Sequence, residues 1–305
     1  MNKALVIGYG SIGKRHADIL KSMNVDTAVV SRREIEFKPA YSDIETALKE
    51  FEPEYVVVAS RTSEHCGDLE RLAEFGFKGV VLVEKPLFDH KADVPMNNFK
   101  AIYAAYNLRF TPAIQALKKA LQDKQMISMQ VYAGQYLPNW RQGTDYRQSY
   151  SAKRTNGGGV LRDLSHELDY SNWLTGGWRR LVARGGHFSN LEIESDDTYM
   201  VMFESVNCPL VTVHVNYLDR KLRREILVQT TTESIKVDLV ACTIEINGEI
   251  QELPKYDRDL TYRAEHEEAM ETNPVNLCQL DEALDIVRMI EACESSSERS
   301  EWVMS

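Results

Sequence analysis

The glycine-rich segment at residues 8–13 constrains the fold of this chain more than any other part. It follows an apolar run at residues 4–7 and precedes a helical pattern. One face of that pattern carries Ile12, His16, Ile19 and Leu20. In this context Gly8 allows a tight turn, Gly10 lets the backbone approach a pyrophosphate, and Gly13 lets helix and strand pack closely. The segment therefore predicts a dinucleotide-binding Rossmann domain, with Ser11 and Ile12 at the phosphate-binding helix start.

Bulk properties limit the partners that the chain can take. A length of 305 residues suits two domains. The net charge of −10 and a pI near 5.3 argue against nucleic acid and anionic membranes. The five cysteines show no C-x-x-C spacing, so neither a zinc site nor a disulfide framework is expected, and no metal is predicted. No apolar run approaches the roughly 20 residues of a membrane span. Because the chain starts on its first strand, we expect no signal peptide and a cytoplasmic protein.

The pattern of elements changes near residues 108–111. Before this point strand and helix signals alternate, as a parallel doubly wound sheet requires. After it, strand-like runs with period-two alternation dominate. We therefore predict an α/β Rossmann domain over residues 1–109 and an α+β domain with an open, predominantly antiparallel sheet over residues 110–305.

Besides a helix that Pro112 opens and that runs to about Gln122, the second half contains two further helical patterns and one clear strand face. Val211, Val213, Val215 and Tyr217 alternate along one strand, which predicts a sheet that is covered on that side. Helices are predicted over Val160–Leu174 and from about Asn276 to Ala292. The other face of the sheet would then be broad and fairly flat, which favours a homodimer or homotetramer through it.

Ser31, Arg32 and Arg33 follow the second predicted strand, about twenty residues beyond the glycines. A site that prefers NAD usually has an acidic residue here to bind the ribose 2′-hydroxyl. Ser31 does not repel a 2′-phosphate, and either arginine can pair with it. We therefore expect NADP(H) to be preferred, with NAD(H) possible. In the alternative interpretation the arginines are solvated and Glu34 supplies the acid.

Glu84, Lys85 and Pro86 follow another predicted strand. Pro86 restricts Lys85 to an extended conformation, which directs its ammonium away from the strand end. A cation there can hold a substrate hydroxyl and stabilise a developing alkoxide. Taken alone, the tripeptide is also compatible with an ordinary exit from strand to loop.

A triple glycine at residues 157–159 precedes the predicted helix over Val160–Leu174. Asp163 and His166 are three residues apart, so on one helix they would share a face. A carboxylate beside an imidazole can orient its tautomer or raise its basicity, as general base catalysis needs. The alternative is an ordinary surface pair of histidine and carboxylate.

The ordered combination of these motifs resembles the Gfo/Idh/MocA oxidoreductases over essentially the whole chain. The resemblance rests on the glycine turn, E-K-P at 84–86, Y-N-L-R-F-T-P at 106–112, and the triple glycine with D-x-x-H-E-x-D at 163–169. It implies a second domain that binds substrate and forms oligomers. It also implies hydride transfer between a nicotinamide and a hydroxyl or keto carbon of a sugar, cyclitol or nucleotide sugar.

The resemblance also assigns roles to single residues. Lys85 would lie by the nicotinamide and the substrate hydroxyl, His166 would transfer the proton, and Asp163 would be its neighbour. Further contacts to the cofactor are implied for Ser60, Thr62, His65 and Glu84. Arg109, within the 106–112 motif, would contact the substrate.

The chain departs from the family pattern in two places. Many relatives have an aspartate four residues before the histidine, where this chain has Arg162. In this chain the aspartate beside the histidine would instead be Asp163, three residues before His166. In addition, Leu87–Lys100 is short for the crossover helix that is usual in the family.

Aromatic and arginine side chains are concentrated just before the triple glycine. They are Trp140, Arg141, Tyr146, Arg147, Tyr150 and Arg154. Aromatic faces stack on the C–H surfaces of sugars, and arginine binds carboxylate or phosphate through two hydrogen bonds. The stretch predicts an anionic sugar substrate and is similar to relatives from surface-polysaccharide or nonulosonic acid synthesis. Alternatively, it only covers a subunit interface.

Two other functions share this fold. A non-enzymatic sensor would bind a dinucleotide and regulate a partner, but it has no need for Lys85, Asp163 and His166 together. A reductase of a non-sugar small molecule is the second alternative, because Ser31, Arg32 and Arg33 resemble the corresponding segment of biliverdin reductase. The triple glycine and the H-E-L-D segment favour the sugar oxidoreductase.

Overall fold

The computed structural model describes residues 1–92, 99–141 and 143–305, which form two compact units. The first unit consists of Met1–Phe110 and Tyr256–Val287. The second consists of Thr111–Lys255 and Arg288–Ser305. The predicted boundary after residue 109 lies one residue before the observed one. A continuous second domain over 110–305 is wrong, however, because residues 256–287 return to the first unit.

The helices and strands are numbered in chain order. The strands are β1 (Lys3–Ile7), β2 (Asp26–Val30), β3 (Ala40–Tyr41), β4 (Tyr55–Val58), β5 (Val80–Val83), β6 (Ala101–Ala104), β7 (Met126–Gly134), β8 (Trp178–Gly186), β9 (Thr198–Ser205), β10 (Leu210–Asn216), β11 (Arg223–Thr230), β12 (Ser234–Asp238), β13 (Thr243–Ile246), β14 (Glu249–Glu252), β15 (Cys278–Gln279) and β16 (Val303–Met304). The helices are α1 (Ser11–Ser22), α2 (Ile44–Phe51), α3 (His65–Glu74), α4 (Pro112–Ala120), α5 (Val160–Asp163), α6 (His166–Thr175), α7 (Arg258–Ala269) and α8 (Leu280–Arg299). None of the helices within the described ranges is long and apolar enough to cross a membrane.

The sheet of the first unit has the order β15-β6-β5-β4-β1-β2-β3. Strands β1 to β6 pair in parallel, and β15 joins antiparallel to β6. Ile7 is in register with Val30 on one side and Val58 on the other, so the carboxyl ends of these strands meet at one edge. The chain order reverses beside β1, which is where open α/β sheets bind their ligands.

Helix α7 was not predicted from the sequence. Its buried positions are mostly polar, among them Thr261, Tyr262, Glu265 and His266. An amphipathic pattern is recognised by apolar residues on the buried face, and this helix lacks them. The apolar periodicity that predicts a helix is therefore absent, although the buried face is present.

The sheet of the second unit has nine strands in the order β14-β13-β12-β11-β7-β10-β9-β8-β16. The pair β7–β10 is parallel, and the other pairs are antiparallel. Val211, Val213 and Val215 on β10 are fully buried, as predicted. The fold class predicted from the sequence, a Rossmann domain with a largely antiparallel α+β domain, is confirmed.

The helix predicted over Val160–Leu174 is two helices. α5 ends at Asp163, Leu164 leaves the helical conformation at φ −101° and ψ 31°, and α6 begins at His166. The predicted helix from Asn276 instead starts at Leu280 and continues to Arg299. Its first residues form β15, since Cys278 and Gln279 pair with β6.

Candidate active site

The glycine turn lies at the carboxyl edge of the first sheet, between β1 and α1. Gly8 has φ +91°, and a Cβ there would lie 2.6 Å from the carbonyl oxygen of Ala59. A Cβ on Gly13 would lie 2.0 Å from the carbonyl oxygen of Gly8. A Cβ on Gly10 would meet no described atom within 4 Å. The chain itself therefore requires glycine at positions 8 and 13, while the space at Gly10 is free for a ligand.

Helix α1 begins directly after Gly10 with free backbone donors. Within the described part of the chain, no side chain caps this end and the first turn holds no acidic residue. The N–H groups of Ser11 and Ile12 belong to that first turn, where N–H groups lack partners within the helix. Together with the positive end of the helix dipole, they fit the pyrophosphate of a dinucleotide.

Ser31, Arg32 and Arg33 follow β2 at the same edge. The Ser31 hydroxyl donates to the Arg33 carbonyl and accepts from its N–H, which forms a tight local turn. The Arg33 guanidinium donates to the carbonyl of Tyr9 in the glycine turn at 2.9 Å. The Arg32 side chain is 71% exposed and lies 3.1 Å from a Glu64 carboxylate oxygen. The two arginines therefore lie beside the carboxyl end of β2, as predicted, and Arg33 is hydrogen-bonded to the glycine turn.

Ser60, Thr62 and His65 lie between the end of β4 and the first turn of α3. The Ser60 hydroxyl donates to Asp68 at 2.6 Å. Thr62 begins a short 3-10 turn and is half-buried. His65 is buried, and its Nδ1 lies 3.0 Å from the Leu87 carbonyl oxygen. Burial is the main cause that lowers the pKa of His65. The segment lies at the same edge as the glycine turn.

Glu84 and Lys85 follow β5, also at this edge. Glu84 Oε1 lies 2.8 Å from Nε2 of His16, and its Oε2 accepts the Lys85 N–H at 3.1 Å. Burial by itself would raise the pKa of the Glu84 carboxyl, but the His16 contact and the Lys85 ammonium outweigh it and lower that pKa. Lys85 is half-buried. Of the Leu87–Lys100 segment, whose shortness the sequence singled out, residues 93–98 lie outside the described residues.

Arg109 is buried and bound within the first unit, whereas the resemblance implied a substrate contact. Its side chain is 1% exposed, and its guanidinium donates to a Glu282 carboxylate at 2.8 Å and to the Leu277 carbonyl at 3.3 Å. Leu277 directly precedes β15, and Glu282 lies in the first turn of α8. The arginine therefore binds the returning segment to the turn after β6.

The Asp163 carboxylate is the centre of a polar cluster in the second unit. One oxygen accepts the hydroxyl of Tyr150 at 2.6 Å, and the other accepts that of Tyr217 at 2.5 Å. The pKa of each tyrosine is raised well above its usual value, mainly because the hydroxyl is buried and secondly because of the Asp163 charge. Asp163 is buried, whereas His166 is half-buried at the start of α6. The prediction that Asp163 and His166 share one helix face is wrong, because the helix is interrupted between them.

The triple glycine is explained by contacts within the second unit. A Cβ on Gly158 would lie 2.1 Å from the Tyr150 carbonyl oxygen. Gly159 has φ +126°, and a Cβ there would lie 2.3 Å from an Asp196 carboxylate oxygen. The close approach predicted for these glycines is therefore to the chain itself.

The aromatic and arginine segment divides into two groups. Trp140 packs edge-on against Tyr217, with ring centroids 5.1 Å apart, and the Arg141 guanidinium lies 5.8 Å from the centre of the Tyr150 ring. These residues belong to the Asp163 cluster.

The second group is bound to other partners. Arg147 is bound at 2.9 Å to Asp145 and at 3.1 Å to Glu192, and the Tyr146 hydroxyl accepts the Glu192 N–H. Arg154 lies 3.8 Å from Glu294. The predicted substrate roles of Tyr146 and Arg147 therefore lack support from the geometry.

Two residues of these clusters were not identified as site residues in the sequence. Tyr217 was recognised only as a member of the buried β10 face, and His16 only as a member of the α1 face. Tyr217 lies at the end of an apolar pattern and His16 lies within one. Because buried polar groups need hydrogen-bond partners, each position could have been predicted from the sequence to form a buried hydrogen bond.

Family models of known proteins match a segment of each unit. Residues 2–96 match the family model described as "Oxidoreductase family, NAD-binding Rossmann fold", and residues 114–236 match the GFO/IDH/MocA C-terminal domain. No protein of curated function matches the sequence at a significant level.

Solved structures resemble the chain over nearly its whole length. Levoglucosan dehydrogenase in complex with NADH and L-sorbose is 15% identical, with a TM-score of 0.84, over 100% of this chain and 98% of that one. GenD2 from gentamicin A biosynthesis, in complex with NAD, is 19% identical, with a TM-score of 0.81 over 99% and 96%. An oxidoreductase from Agrobacterium radiobacter in complex with NAD+, L-tartaric acid and magnesium is 17% identical, with a TM-score of 0.78 over 99% and 98%. The two family matches, together with the glycine turn and strand-end residues described above, make this chain a member of the Gfo/Idh/MocA family of oxidoreductases with an NAD-binding Rossmann fold.

Proposed function

We propose that the protein transfers a hydride between a nicotinamide and the hydroxyl-bearing carbon of a sugar, with Lys85, His166 and Asp163 as its reactive residues. The observation that carries this proposal is the edge of the first sheet. There, among the described residues, the free space at Gly10 and the uncapped start of α1 follow β1, and the half-buried Lys85 follows β5, with β4 between the two strands. A bound nicotinamide supplies the hydride acceptor or donor.

Each residue has a separate task. The Lys85 ammonium holds the substrate hydroxyl and stabilises negative charge on its oxygen. His166 takes the hydroxyl proton, because a neutral imidazole can accept a proton at its unprotonated ring nitrogen. Asp163, held by Tyr150 and Tyr217, contributes a fixed negative charge in the second unit.

The test is a screen of neutral sugars, sugar acids and nucleotide sugars by absorbance of the reduced nicotinamide. With the substrate that this screen finds, His166→Ala should lower kcat about 10²–10⁴-fold, because a general base is removed. Lys85→Met should be at least as severe, and His166→Ala should bind the dinucleotide with unchanged affinity. Turnover near the wild-type rate in either variant would contradict the proposal and favour a non-enzymatic sensor.

We propose that NADP(H) binds more tightly than NAD(H). The residue after β2 is Ser31, and the exposed Arg32 can exchange its contact with Glu64 for a phosphate, because exposed ion pairs contribute only about 0–1 kcal/mol. Arg32→Ala should weaken NADP(H) by about 1.5–3 kcal/mol and leave NAD(H) unchanged. Fluorescence titration of both cofactors checks this, and tighter binding of NAD(H) by the wild type would overturn it.

We propose further that the sugar carries an anionic group. Arg141 is exposed and lies over Tyr150, whose hydroxyl is bound to Asp163, so a cation borders the polar cluster. Arg141→Ala should raise KM for sugar acids and not for neutral sugars. The matched control is Arg147→Ala, whose guanidinium is already bound to Asp145 and Glu192.

The open face of the nine-stranded sheet supports a homodimer or homotetramer. One row across it consists of Leu227, Gln130, Thr212, Met202 and Val182, and the next contains Met200. Leu227 is 44% and Met200 is 55% exposed, so apolar side chains are presented on a broad surface. Light scattering at micromolar concentration should give a multiple of the 34.9 kDa chain mass, and a monomer would contradict this.

A further inference from the structure

Three buried side chains of the first unit extend inward from Glu84 as a hydrogen-bonded chain. His16 Nε2 lies 2.8 Å from Glu84 Oε1, and His16 Nδ1 lies 2.9 Å from Nε2 of His266. His266 Nδ1 in turn lies 2.9 Å from the Tyr55 hydroxyl. Both histidines and Tyr55 have no exposed surface. The chain joins α1, α7 and β4 to the strand end that carries Lys85.

With both histidines neutral, one set of proton positions satisfies every contact. An ionised Glu84 can only accept, so His16 must donate from Nε2. A neutral His16 then accepts at Nδ1, so His266 donates from Nε2 and accepts at Nδ1. Tyr55 donates its hydroxyl proton to that nitrogen. In these three contacts every donor points toward Glu84.

The surroundings of the chain agree with these proton positions. Burial lowers the pKa of His266 well below its usual value. Burial, with the charge of Glu265, raises the pKa of Tyr55 well above its usual value. His266 therefore stays neutral, and Tyr55 keeps its proton.

We propose that His16, His266 and Tyr55 are positioning residues that fix the Glu84 carboxylate and, through it, the backbone at Lys85. Glu84 is held at one oxygen by His16 while the other accepts the Lys85 N–H at 3.1 Å. Helix α1 therefore does two things: its first turn faces the dinucleotide site, and its second turn sets the course of the chain at Lys85. The consequence for turnover rests on the proposed role of Lys85, whereas the geometry does not.

Two substitutions of His16 separate its two nitrogens. In His16→Gln the side-chain amide nitrogen reaches the place of Nε2 and keeps a donor for Glu84. In His16→Asn the amide reaches only the place of Nδ1, and that donor is lost. Tyr55→Phe removes one hydroxyl from the far end and is the mildest change to the packing. His90→Gln on the surface is the control.

The first readout is NMR of the full chain labelled with ¹⁵N-lysine and ¹⁵N-histidine. We expect His16 and His266 each to be protonated on Nε2 alone. The Lys85 amide signal, assigned by its absence in Lys85→Arg, should shift and exchange faster in His16→Asn, and stay near its wild-type position in His16→Gln. In Tyr55→Phe the Nδ1 signal of His266 should move. A histidine protonated on Nδ1, or a Lys85 amide unaffected by His16→Asn, would overturn the proposal.

The second readout is turnover in the assay described above. His16→Asn should lower kcat roughly 10–100-fold, as expected for misplaced reacting groups, without changing the affinity for NADPH. His16→Gln should restore most of it. Unchanged kcat in His16→Asn would overturn the link to turnover. If Lys85→Met also keeps its activity, the proposed function has failed, while the NMR result still decides whether the chain positions Lys85.

Discussion

The glycine turn at residues 8–13 and the triple glycine at residues 157–159 both precede a helix, yet what surrounds them differs. A Cβ on Gly158 would meet a carbonyl oxygen of its own unit at 2.1 Å, while a Cβ on Gly10 would meet no described atom within 4 Å. The same residue type is therefore needed for internal packing in one place and leaves room for a ligand in the other. A conspicuous motif shows its function only when the chain's own contacts have been accounted for.

Arginines of the predicted site show the same contrast. Arg109 and Arg147 were both expected to bind substrate, and each is bound instead to carboxylates of this chain. Arg32 also pairs with a carboxylate, but its side chain is 71% exposed at the strand edge beside the glycine turn. Burial and neighbouring strand ends, rather than residue type, separate structural arginines from candidate ligand residues.

The largest expected effect tests whether Arg109 is structural. Arg109→Met should lower the free energy of unfolding by about 3–5 kcal/mol, because it leaves the partner of a largely buried ion pair unbalanced. Urea unfolding followed by circular dichroism measures this. The matched control, Arg147→Met, breaks exposed pairs and should change stability by at most about 1 kcal/mol. Equal small losses in both variants would place Arg109 among the ligand residues after all.

The next effect tests the triple glycine. Gly158→Ala should lower the free energy of unfolding by about 1–3 kcal/mol, because the added methyl overlaps the backbone at Tyr150 and a backbone atom cannot turn aside. Since α5 starts directly after this segment, the Asp163 cluster should loosen as well. Thermal unfolding measures the loss, and an unchanged midpoint would show that the close approach is absent in solution.

Gly10→Ala is the counterpart in the first unit. No described atom lies within 4 Å of the added Cβ. The free energy of unfolding should therefore change by less than about 1 kcal/mol, which is the usual size of the effect when alanine replaces glycine without strain. The affinity for NADPH should fall at least about tenfold, which corresponds to about 1.4 kcal/mol, because the methyl occupies the pyrophosphate space. Equal NADPH affinity in the variant and the wild type would contradict a phosphate site at Gly10.

The sequence predicted those parts of the site that depend on neighbours along the chain. Gly8, Ser31 and Lys85 each follow a short apolar strand, and parallel strands bring such positions to one edge. The partners of Asp163 were not predicted, because Tyr217 lies 54 residues away and its strand showed only an apolar face. His266 was missed for a related reason: α7 buries polar groups, so its periodicity carries no apolar signal. Long-range pairing of polar groups leaves little trace in local pattern.

The smallest effect tests Tyr217, one of the two tyrosines on Asp163. Its pKa is raised well above the ordinary value near 10, mainly by burial, so above that pH the unfolded chain releases a proton that the folded chain keeps. The contribution of Tyr217 to stability should then fall as pH rises, by at most about 1.4 kcal/mol per pH unit. Tyr217→Phe should cost about 1 kcal/mol near pH 7, where the hydrogen bond is intact, and should show a shallower decline above pH 10 than the wild type. Urea unfolding at a series of pH values measures both. Parallel declines in the two proteins would mean that the Tyr217 hydroxyl is not held against Asp163, and would return that carboxylate to the pairing with His166 that the sequence had suggested.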